Sequence, residues 1–402
     1  MDLSYGPEYE TFRQEVRDFI NGHRDAAPKG GGPRDPANLA WQKLLIEHGY
    51  AARTIPEAYG GYGAEPDILE ARIIAEEFAN AQVSPGLGGQ GISMLVPTLL
   101  EVGTEEQKRE FIPPTLRGEM VWCQGYSEPG AGSDLASLTT SARLVRSQGE
   151  RGDEWVVNGQ KIWTSTAHLA DWIFCLVRTE PDAPKHQGIS FLLFRMDTPG
   201  IEVRPLVDMT GAANFNEVFF TDVRVPKTQI VGKRGEGWAV ANAILGHERD
   251  SLGNPNATLQ RLNALIELMR SETLDGRPLL EHPVYRDRLM KLQARVLAMR
   301  CNDLRVLSAK VNGNADASLA RMIVKLQGTE LRHELEGLAI DIMGELGLAY
   351  GDNPYLRGHG SWQSQYMYFL GLIIGGGTSQ IQKNIIGERG LGLPREPKVA
   401  RG

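Results

Sequence analysis

Two short motifs combine residue types that suit a flat ligand with polar edges. The first is a glycine-rich loop, Glu128-Pro129-Gly130-Ala131-Gly132-Ser133-Asp134. Small residues let a backbone approach a ligand closely, and their amides can cradle an anion. The second is Lys161-Ile162-Trp163-Thr164-Ser165-Thr166. An indole followed by hydroxyl groups suits a heterocycle that packs on the ring and exchanges hydrogen bonds with the hydroxyls.

Each motif alone also has an ordinary structural explanation. A turn in a β domain would account for the glycine-rich loop, and a buried tryptophan would account for Trp163. The loop does not match a dinucleotide-binding fingerprint, because no strand–helix crossover unit surrounds it. His168 lies near the second motif in sequence, but we assign it no ligand role.

The elements that must position these motifs fall into three regions. Helical periodicity dominates the first, short apolar and β-branched runs separated by turn-forming clusters fill the second, and helices return in the third. We therefore predict an α+β fold: an N-terminal helical domain (1–120), a central β-barrel-like domain (121–235) and a C-terminal helical bundle (236–402).

Individual helices are predicted from apolar spacing and from residues that end helices. In the first region they run from Ala37 to His48, Leu69 to Asn80 and Glu105 to Arg117. Because proline lacks the N–H that a helix needs, Pro113-Pro114 should interrupt the last of these. In the third region the predicted helices are Trp238 to Leu245, Asn256 to Arg270, Pro283 to Val311, Ser318 to Met343 and Thr378 to Glu388.

The composition excludes several classes of protein. The 402 residues are 41% hydrophobic and 23% charged, with a net charge of -7, which gives no reason to expect binding to nucleic acid or to an anionic membrane. The first residues carry acids where a secretory signal needs basic and then apolar residues, so we expect no export. No apolar run reaches the roughly 20 residues of a membrane span. Three cysteines without metal-type spacing predict no disulfide framework, no metal site and a cytoplasmic location.

Taken together in this order, the two motifs resemble those of the acyl-CoA dehydrogenase family, and the resemblance extends along nearly the whole chain. Four further matches lie outside the two motifs: Ile55-Pro56-Glu57 with Tyr59-Gly60-Gly61-Tyr62-Gly63, GTEEQK at 103–108, Asp222-Val223-Arg224-Val225-Pro226, and TSQIQKNIIGERGLGLPRE at 378–396. The chain is therefore identified as a member of that family.

The resemblance implies FAD at the junction of the domains and at a subunit interface. It places Gln124, Tyr126 and Ser127 against the flavin through their backbones, with the Ser127 hydroxyl contributing as well. Trp163 would lie against the isoalloxazine ring, with Ser165 near flavin N5. The resemblance also implies that Ser133 faces the acyl-CoA, and that two residues contact the dinucleotide part of FAD: Thr378 and Gln380.

The family reaction needs a carboxylate that removes a proton beside the thioester carbonyl while a hydride passes to flavin N5. Most members carry this glutamate at the position that Gly376 occupies here. The isovaleryl- and long-chain-type members carry it on an earlier helix, directly before an arginine, and Glu248-Arg249 matches that pattern. We predict Glu248 as the base and Arg249 as a substrate-side residue, provided that the helix continues through Gly246. A solvated surface pair is the ordinary alternative.

Several family features are absent from this sequence. The Arg-x-x-Phe-Gly segment that reaches a neighbouring subunit's FAD is not matched, and the usual Gly-Gly-x-Gly reads Gly344-Glu345-Leu346-Gly347. The contacts to the FAD pyrophosphate and adenosine are therefore predicted less firmly than the flavin-ring contacts.

The first functional prediction is an FAD-dependent dehydrogenase that makes a trans-2-enoyl-CoA in lipid metabolism and passes electrons to an electron-transfer flavoprotein. The triple glycine 375–377 suggests space for a branched, cyclic or steroid-like acyl group. A flavin oxidase or monooxygenase is one alternative, and a non-catalytic, FAD-supporting subunit of a mixed oligomer is another. The family also predicts a homo-oligomer, either a tetramer or a dimer.

Overall fold

The structure is a computed structural model, and it describes residues 6–146, 152–252, 255–313 and 318–395. Within this part of the chain, side chains are not described at 247–252 and 318. The chain divides into two compact units, one ending at His247 and the other beginning at Glu248.

The first unit begins with a series of helices. They are α1 (Pro7–His23), α2 (Pro36–Glu47), α3 (Ile68–Ala81), α4 (Val96–Val102) and α5 (Glu105–Leu116). The bounds of α2, α3 and α5 agree closely with the predicted ones. α1 buries Val16, Phe19 and Ile20 along one stripe, where they pack with Trp41 of α2 and Phe78 of α3. This periodic burial explains why the helices could be predicted from apolar spacing.

The expected interruption at Pro113-Pro114 is wrong, since α5 continues through both prolines to Leu116. Thr104 and Gln107 form a capping box that fixes the start of the helix. The two carbonyls that lose a donor to proline belong to Arg109 and Glu110, which are exposed and can bond water instead.

A mixed sheet follows in the same unit. Its strands are β1 (Trp122–Gly125), β2 (Ser141–Val145), β3 (Glu154–Ser165), β4 (Trp172–Arg178), β5 (Ile189–Arg195), β6 (Ile201–Leu206), β7 (Phe215–Pro226) and β8 (Ile230–Val231). The order is β6-β7-β3-β2-β4-β5-β8, with β1 parallel to β4.

Strand β4 is buried on both of its faces. Phe174 and Leu176 point into a core shared with the N-terminal helices, including Phe111 of α5. Ile173 and Cys175 point into a second core on the opposite face. Burial on two sides explains why this strand reads as a continuous apolar run instead of an alternating one.

Helix α6 (Gly237–Leu252) follows the sheet and runs without a break through Gly246. The condition set for Glu248 is therefore met by the backbone. Val240, Ala241 and Ile244 are buried in the core that the sheet shares with the N-terminal helices. Glycine inside a helix is unfavourable by about 1 kcal/mol, and this buried stripe stabilises the helix against that loss.

The second unit is a helical bundle. It contains α7 (Pro255–Ser271), α8 (Pro283–Val311), α9 (Ser318–Ile342), α10 (Ser361–Ile374) and α11 (Ser379–Ile385), with a small hairpin of β9 (Thr273–Leu274) and β10 (Arg277–Pro278). Leu265, Leu289, Leu335 and Trp362 lie in its core. Helix α10 was not predicted, because glycines within and after it obscure its apolar pattern.

The start of α6 depends on a glycine that touches another backbone. A Cβ at Gly237 would lie 2.4 Å from the carbonyl carbon of Ser190 in β5. We expect Gly237→Ala to lower the free energy of unfolding by about 1–3 kcal/mol, as overpacking does in other cores. Denaturant unfolding followed by circular dichroism measures it.

Gly246→Ala in the same helix is the matched control. Apart from its chain neighbours and the backbone of its own helix, no described atom lies within 4 Å of a Cβ at Gly246, so alanine should leave stability unchanged or raise it. Equal destabilisation by both substitutions would contradict the assigned packing of Gly237.

Candidate functional site

The two motifs singled out in the sequence lie side by side in the first unit. The Ile162 N–H donates to the carbonyl of Ser127 across 2.9 Å. The Lys161 ammonium donates to the carbonyl of Tyr126 across 3.0 Å and to Glu128 Oε1 across 2.8 Å. Strand β3 therefore holds the start of the glycine-rich loop by both its backbone and a side chain.

The Lys161–Glu128 ion pair is buried, with 0% and 5% of the two side chains exposed. The Glu128 carboxylate also accepts hydrogen bonds from Thr139 and Thr140. Burial acts to raise the pKa of Glu128, but the Lys161 charge and these hydrogen bonds outweigh it and lower the pKa to about 2. The carboxylate is thus charged at neutral pH and suited to holding structure, not to taking a proton.

Trp163 lies directly beyond this anchor, and its backbone is unusual. Lys161 pairs with Val218 and Thr164 with Asn216, so two residues of β3 oppose one residue of β7 in a β-bulge. Trp163 has a φ of +59°, which is rare for a bulky residue. Its side chain is 59% exposed and meets the edge of the Phe215 ring. The bulge thus presents an indole to the outside of the sheet.

The other predicted flavin-side residues of this unit surround the same point. Gln124 lies on β1 and its side chain accepts a hydrogen bond from Gln90. Tyr126 is buried with its ring edge against Phe174 and Phe191, so its backbone is the part nearer the loop surface. Ser127 and Ser165 are partly buried. The structure thus brings these four residues together with Trp163, at the two adjoining strands and the loop between them.

The glycine-rich loop beyond Glu128 is exposed except at Ala131, which is buried, and its C-terminal end is supported by Arg178. Gly130 and Gly132 have no described atom within 4 Å of a Cβ position, and Ser133 is exposed. The Arg178 guanidinium donates to the carbonyls of Ala136 and Leu138, which follow the loop. The loop therefore has a fixed base and open space next to Ser133, the residue predicted to face the acyl-CoA.

Glu248 and Arg249 lie on the last part of α6. Their backbones are helical, but their side chains lie outside the described residues. Position 248 falls one turn after buried Ile244 and two turns after buried Ala241. Their roles as base and as substrate-side residue stay predictions.

In the second unit, Thr378 caps α11 by accepting a hydrogen bond from the Ile381 N–H, and Gln380 is exposed on its first turn. The preceding loop turns through Gly376 and Gly377, which have φ values of +64° and +95°. The position of the usual family base is thus a left-handed glycine.

Sequence analysis missed two buried polar residues at these places. Lys325 of α9 is 2% exposed and donates to two carbonyls, that of Ile373 just before the triple glycine and that of Gly377, its last residue. Asn216 of β7 is fully buried beside Trp163. Lys325 lies among apolar residues of a helical segment, and a lysine in that setting could have indicated a buried position. Nothing in the sequence around Asn216 set it apart from an ordinary strand residue.

Three observations show that residues of the first unit suit FAD. Trp163 offers an exposed indole face. The buried Thr164 Oγ1 has no hydrogen-bond partner among the described residues. The loop glycines leave room for a close approach. An aromatic face, a hydroxyl available for bonding and open backbone amides are the groups that a planar, polar-edged cofactor needs.

Two further searches cover the described residues only. No helix among them is both long and apolar enough to cross a membrane. No group of three or more histidine, cysteine, aspartate or glutamate side chains within the described ranges could hold a metal ion.

The buried ion pair yields a prediction about stability and pH. Glu128→Gln leaves the Lys161 charge buried without its counter-ion, so we expect a loss of about 3–5 kcal/mol in the free energy of unfolding at pH 7. The pKa of Glu128 is depressed from 4.5 to about 2. The stabilisation is therefore present above pH 4.5 and disappears as the pH falls towards 2.

The difference in the free energy of unfolding between wild type and Glu128→Gln should therefore disappear as the pH falls from 4.5 towards 2. Denaturant titrations at a series of pH values measure it. Glu202→Gln is the control, because it breaks an exposed pair with Arg204 and should change stability little at any pH. A difference in unfolding free energy between wild type and Glu128→Gln that stays constant from pH 7 to pH 2 would contradict the depressed pKa of Glu128.

Known proteins resemble this chain over nearly its whole length. Three models of the acyl-CoA dehydrogenase family match the chain: the N-terminal domain over residues 6–119, the middle domain over 123–223 and the C-terminal domain over 235–391. The acyl-CoA dehydrogenase IpdE1 of Mycobacterium tuberculosis is 39% identical over 405 residues, covering 97% of this chain and 99% of that protein.

Two solved structures share the fold over nearly their whole length. The Tcur3481–Tcur3483 steroid ACAD has a TM-score of 0.81 and 30% identity, with 98% of this chain and 100% of that chain covered. The ChsE4–ChsE5 complex of Mycobacterium tuberculosis has a TM-score of 0.79, 30% identity and the same coverage. The chain therefore belongs to the acyl-CoA dehydrogenase family, FAD-dependent flavoproteins of helical, β and helical domains that oxidise a CH–CH bond of an acyl-CoA.

Proposed function

We propose that this chain dehydrogenates an acyl-CoA with a bulky, steroid-like acyl group, using Glu248 on α6 as its base. The observation that carries the proposal is the continuity of α6 through Gly246 to Leu252, combined with a left-handed glycine at position 376. The first feature extends the helix to an alternative carboxylate. The second leaves the usual position without any group that could take a proton.

Each residue has a separate part in this proposal. Glu248 removes the proton beside the thioester carbonyl, and Arg249 and Ser133 contact the substrate. FAD, when bound, supplies the oxidising chemistry by accepting a hydride from the adjacent carbon. In the first unit, Trp163 packs on the flavin, and the remaining contacts come from Gln124, Tyr126, Ser127 and Ser165. In the second unit, Thr378 and Gln380 contact the dinucleotide part.

The substrate class rests on two independent supports. The triple glycine 375–377 carries no side chains, so nothing projects from this loop where most family members carry a glutamate. The Tcur3481–Tcur3483 protein, 30% identical to this chain, is described as a steroid ACAD. Together they favour a fused-ring or branched acyl group over a straight chain.

The proposal also covers the electron acceptor, the location and the assembly of the chain. An electron-transfer flavoprotein is the proposed acceptor, and the cytoplasm the proposed location. For assembly, a homotetramer or homodimer competes with a mixed oligomer. The second has a specific support, because two similar solved structures are named for pairs, Tcur3481–Tcur3483 and ChsE4–ChsE5.

The mixed oligomer brings a second candidate function, in which this chain supports FAD binding and a different subunit supplies the base. Its motivation is the altered segments at 271–276 and 344–347. Expression of the chain alone separates the two. A yellow protein that oxidises acyl-CoA supports the first function, whereas a colourless protein that turns yellow only with a second subunit supports the other.

Substitution of the proposed base should stop the reaction without emptying the flavin site. We expect Glu248→Gln to slow anaerobic bleaching of the flavin by an acyl-CoA at least about 10²-fold, the range for a lost general base, while FAD stays bound. Stopped-flow absorbance measures the rate, and the ratio of flavin to protein measures occupancy.

Glu267→Gln is a matched control, because this exposed glutamate of α7 pairs with Arg270 on the surface and should leave the rate unchanged. Bleaching by Glu248→Gln at the wild-type rate would remove Glu248 from its role, whatever the substrate.

The substrate class has its own prediction. Anaerobic titration of the yellow protein with a panel of acyl-CoAs should give complete bleaching with a steroid-like or branched acyl group and little with straight chains. The reason is that a wide pocket gains contact area only from a wide group. Turnover of straight-chain acyl-CoAs alone would contradict the proposed class but not the family.

A further inference from the structure

We infer that Asn216 is a positioning residue that fixes the backbone under Trp163 and so presets the surface on which the flavin rests. The inference rests on the proposed flavin contact of Trp163 and adds a residue that the proposal does not contain. Its starting point is the strained backbone of Trp163, which needs support from neighbours. A bulky residue with positive φ persists only where surrounding contacts impose it.

The bulge is fixed on both sides. On the N-terminal side, the Lys161 ammonium and the Ile162 N–H bond to the carbonyls of Tyr126 and Ser127. On the C-terminal side, Asn216 Nδ2 donates to the carbonyl of Thr164 across 2.9 Å. The exposed indole thus lies between two buried attachment points, one cationic and one an amide.

Asn216 is well suited to this position because both ends of its amide are used. Its Oδ1 lies 3.2 Å from Nδ1 of His168, which follows the bulge. Its side chain is fully buried, so a donor lost here is not replaced by bulk water. The carbonyl of Thr164 would be left without this bond, and the β3 backbone would be free to return to a regular extended form.

The same pair of strands contains a second asparagine at a second bulge, and this provides a matched control. Val157 pairs with Val223 and Gly159 with Phe220, so the register shifts again. Asn158 donates to Asp222 Oδ1 across 3.0 Å and accepts from the Asp222 N–H across 2.9 Å. Asp222 has a φ of +49°. Both asparagines brace a left-handed residue, but only Asn216 does so beside Trp163.

The test measures FAD dissociation constants of apoprotein variants by flavin fluorescence, together with their unfolding midpoints. Asn216→Ala should weaken FAD binding about tenfold, the equivalent of one lost hydrogen bond. Asn158→Ala should leave the FAD dissociation constant within about twofold while lowering stability. Equal, unchanged FAD binding by both variants would show that Asn216 is merely structural and would overturn the inference.

A double-mutant cycle separates positioning of Trp163 from a general loss of fold. Glycine adopts positive φ without support, so Trp163→Gly removes both the strain and the indole. In that background Asn216→Ala should change FAD affinity by less than about twofold, since the two residues act as a unit. Fully additive losses would contradict the inference.

One further variant and one further measurement test the inference even if Asn216→Ala does not fold or FAD does not bind. Asn216→Leu has a similar branched shape and leaves no cavity, but it cannot donate to Thr164, so it should weaken FAD binding even if the alanine variant fails to fold. Acrylamide quenching of tryptophan fluorescence needs no FAD, and the difference between a protein and its Trp163→Gly counterpart gives the contribution of Trp163. This contribution should fall in the Asn216 variants, because the indole would no longer be held exposed by the bulge. Unchanged quenching overturns the inference. Wild-type apoprotein that binds no FAD on its own contradicts the first proposed function instead.

Discussion

The candidate site depends on one buried ion pair, between Lys161 and Glu128. Both side chains have been removed from water, which is unfavourable by several kcal/mol per ion unless the charges meet each other and further polar groups. Here Glu128 accepts from Lys161, Thr139 and Thr140, and Lys161 also donates to the carbonyl of Tyr126. These bonds fix the positions of strand β3, the start of the loop and the residues after the loop relative to one another. The exposed glycines and the exposed indole are therefore set on a rigid base.

The second unit uses a buried cation in a comparable way. Lys325 donates to the carbonyls of Ile373, just before the triple glycine, and of Gly377, its last residue, and Gln382 donates to the carbonyl of Gly376. A Cβ at Gly377 would lie 2.6 Å from Gln382 Nε2, so the Gln382 side chain of α11 occupies the space that a side chain at position 377 would need. The loop is thus specified by its backbone, and the chain has no carboxylate at the position where most family members place one.

Much of this architecture could be predicted from the sequence, and the failures have identifiable causes. Helices such as Pro283–Val311 follow from apolar periodicity, because one face of each is buried. The continuation of α5 through Pro113-Pro114 could not be predicted, since it depends on a capping box and on exposed carbonyls. Trp163 was identified as a site residue from its type and neighbours. Its bulge and left-handed backbone arise from pairing with β7, a strand more than 50 residues later by the register of Thr164 and Asn216. Single-sequence patterns do not contain such long-range register.

The account's central claim is that proton abstraction has moved from position 376 to α6. Exchange of the substrate's α-hydrogen with deuterium oxide measures this step directly, with the electron acceptor withheld and the FAD-loaded protein present. We predict that wild-type protein and Gly376→Ala catalyse the exchange, and that Glu248→Gln does not although it still binds FAD and acyl-CoA. Exchange at the wild-type rate by Glu248→Gln would show that another group takes the proton, and it would contradict the account.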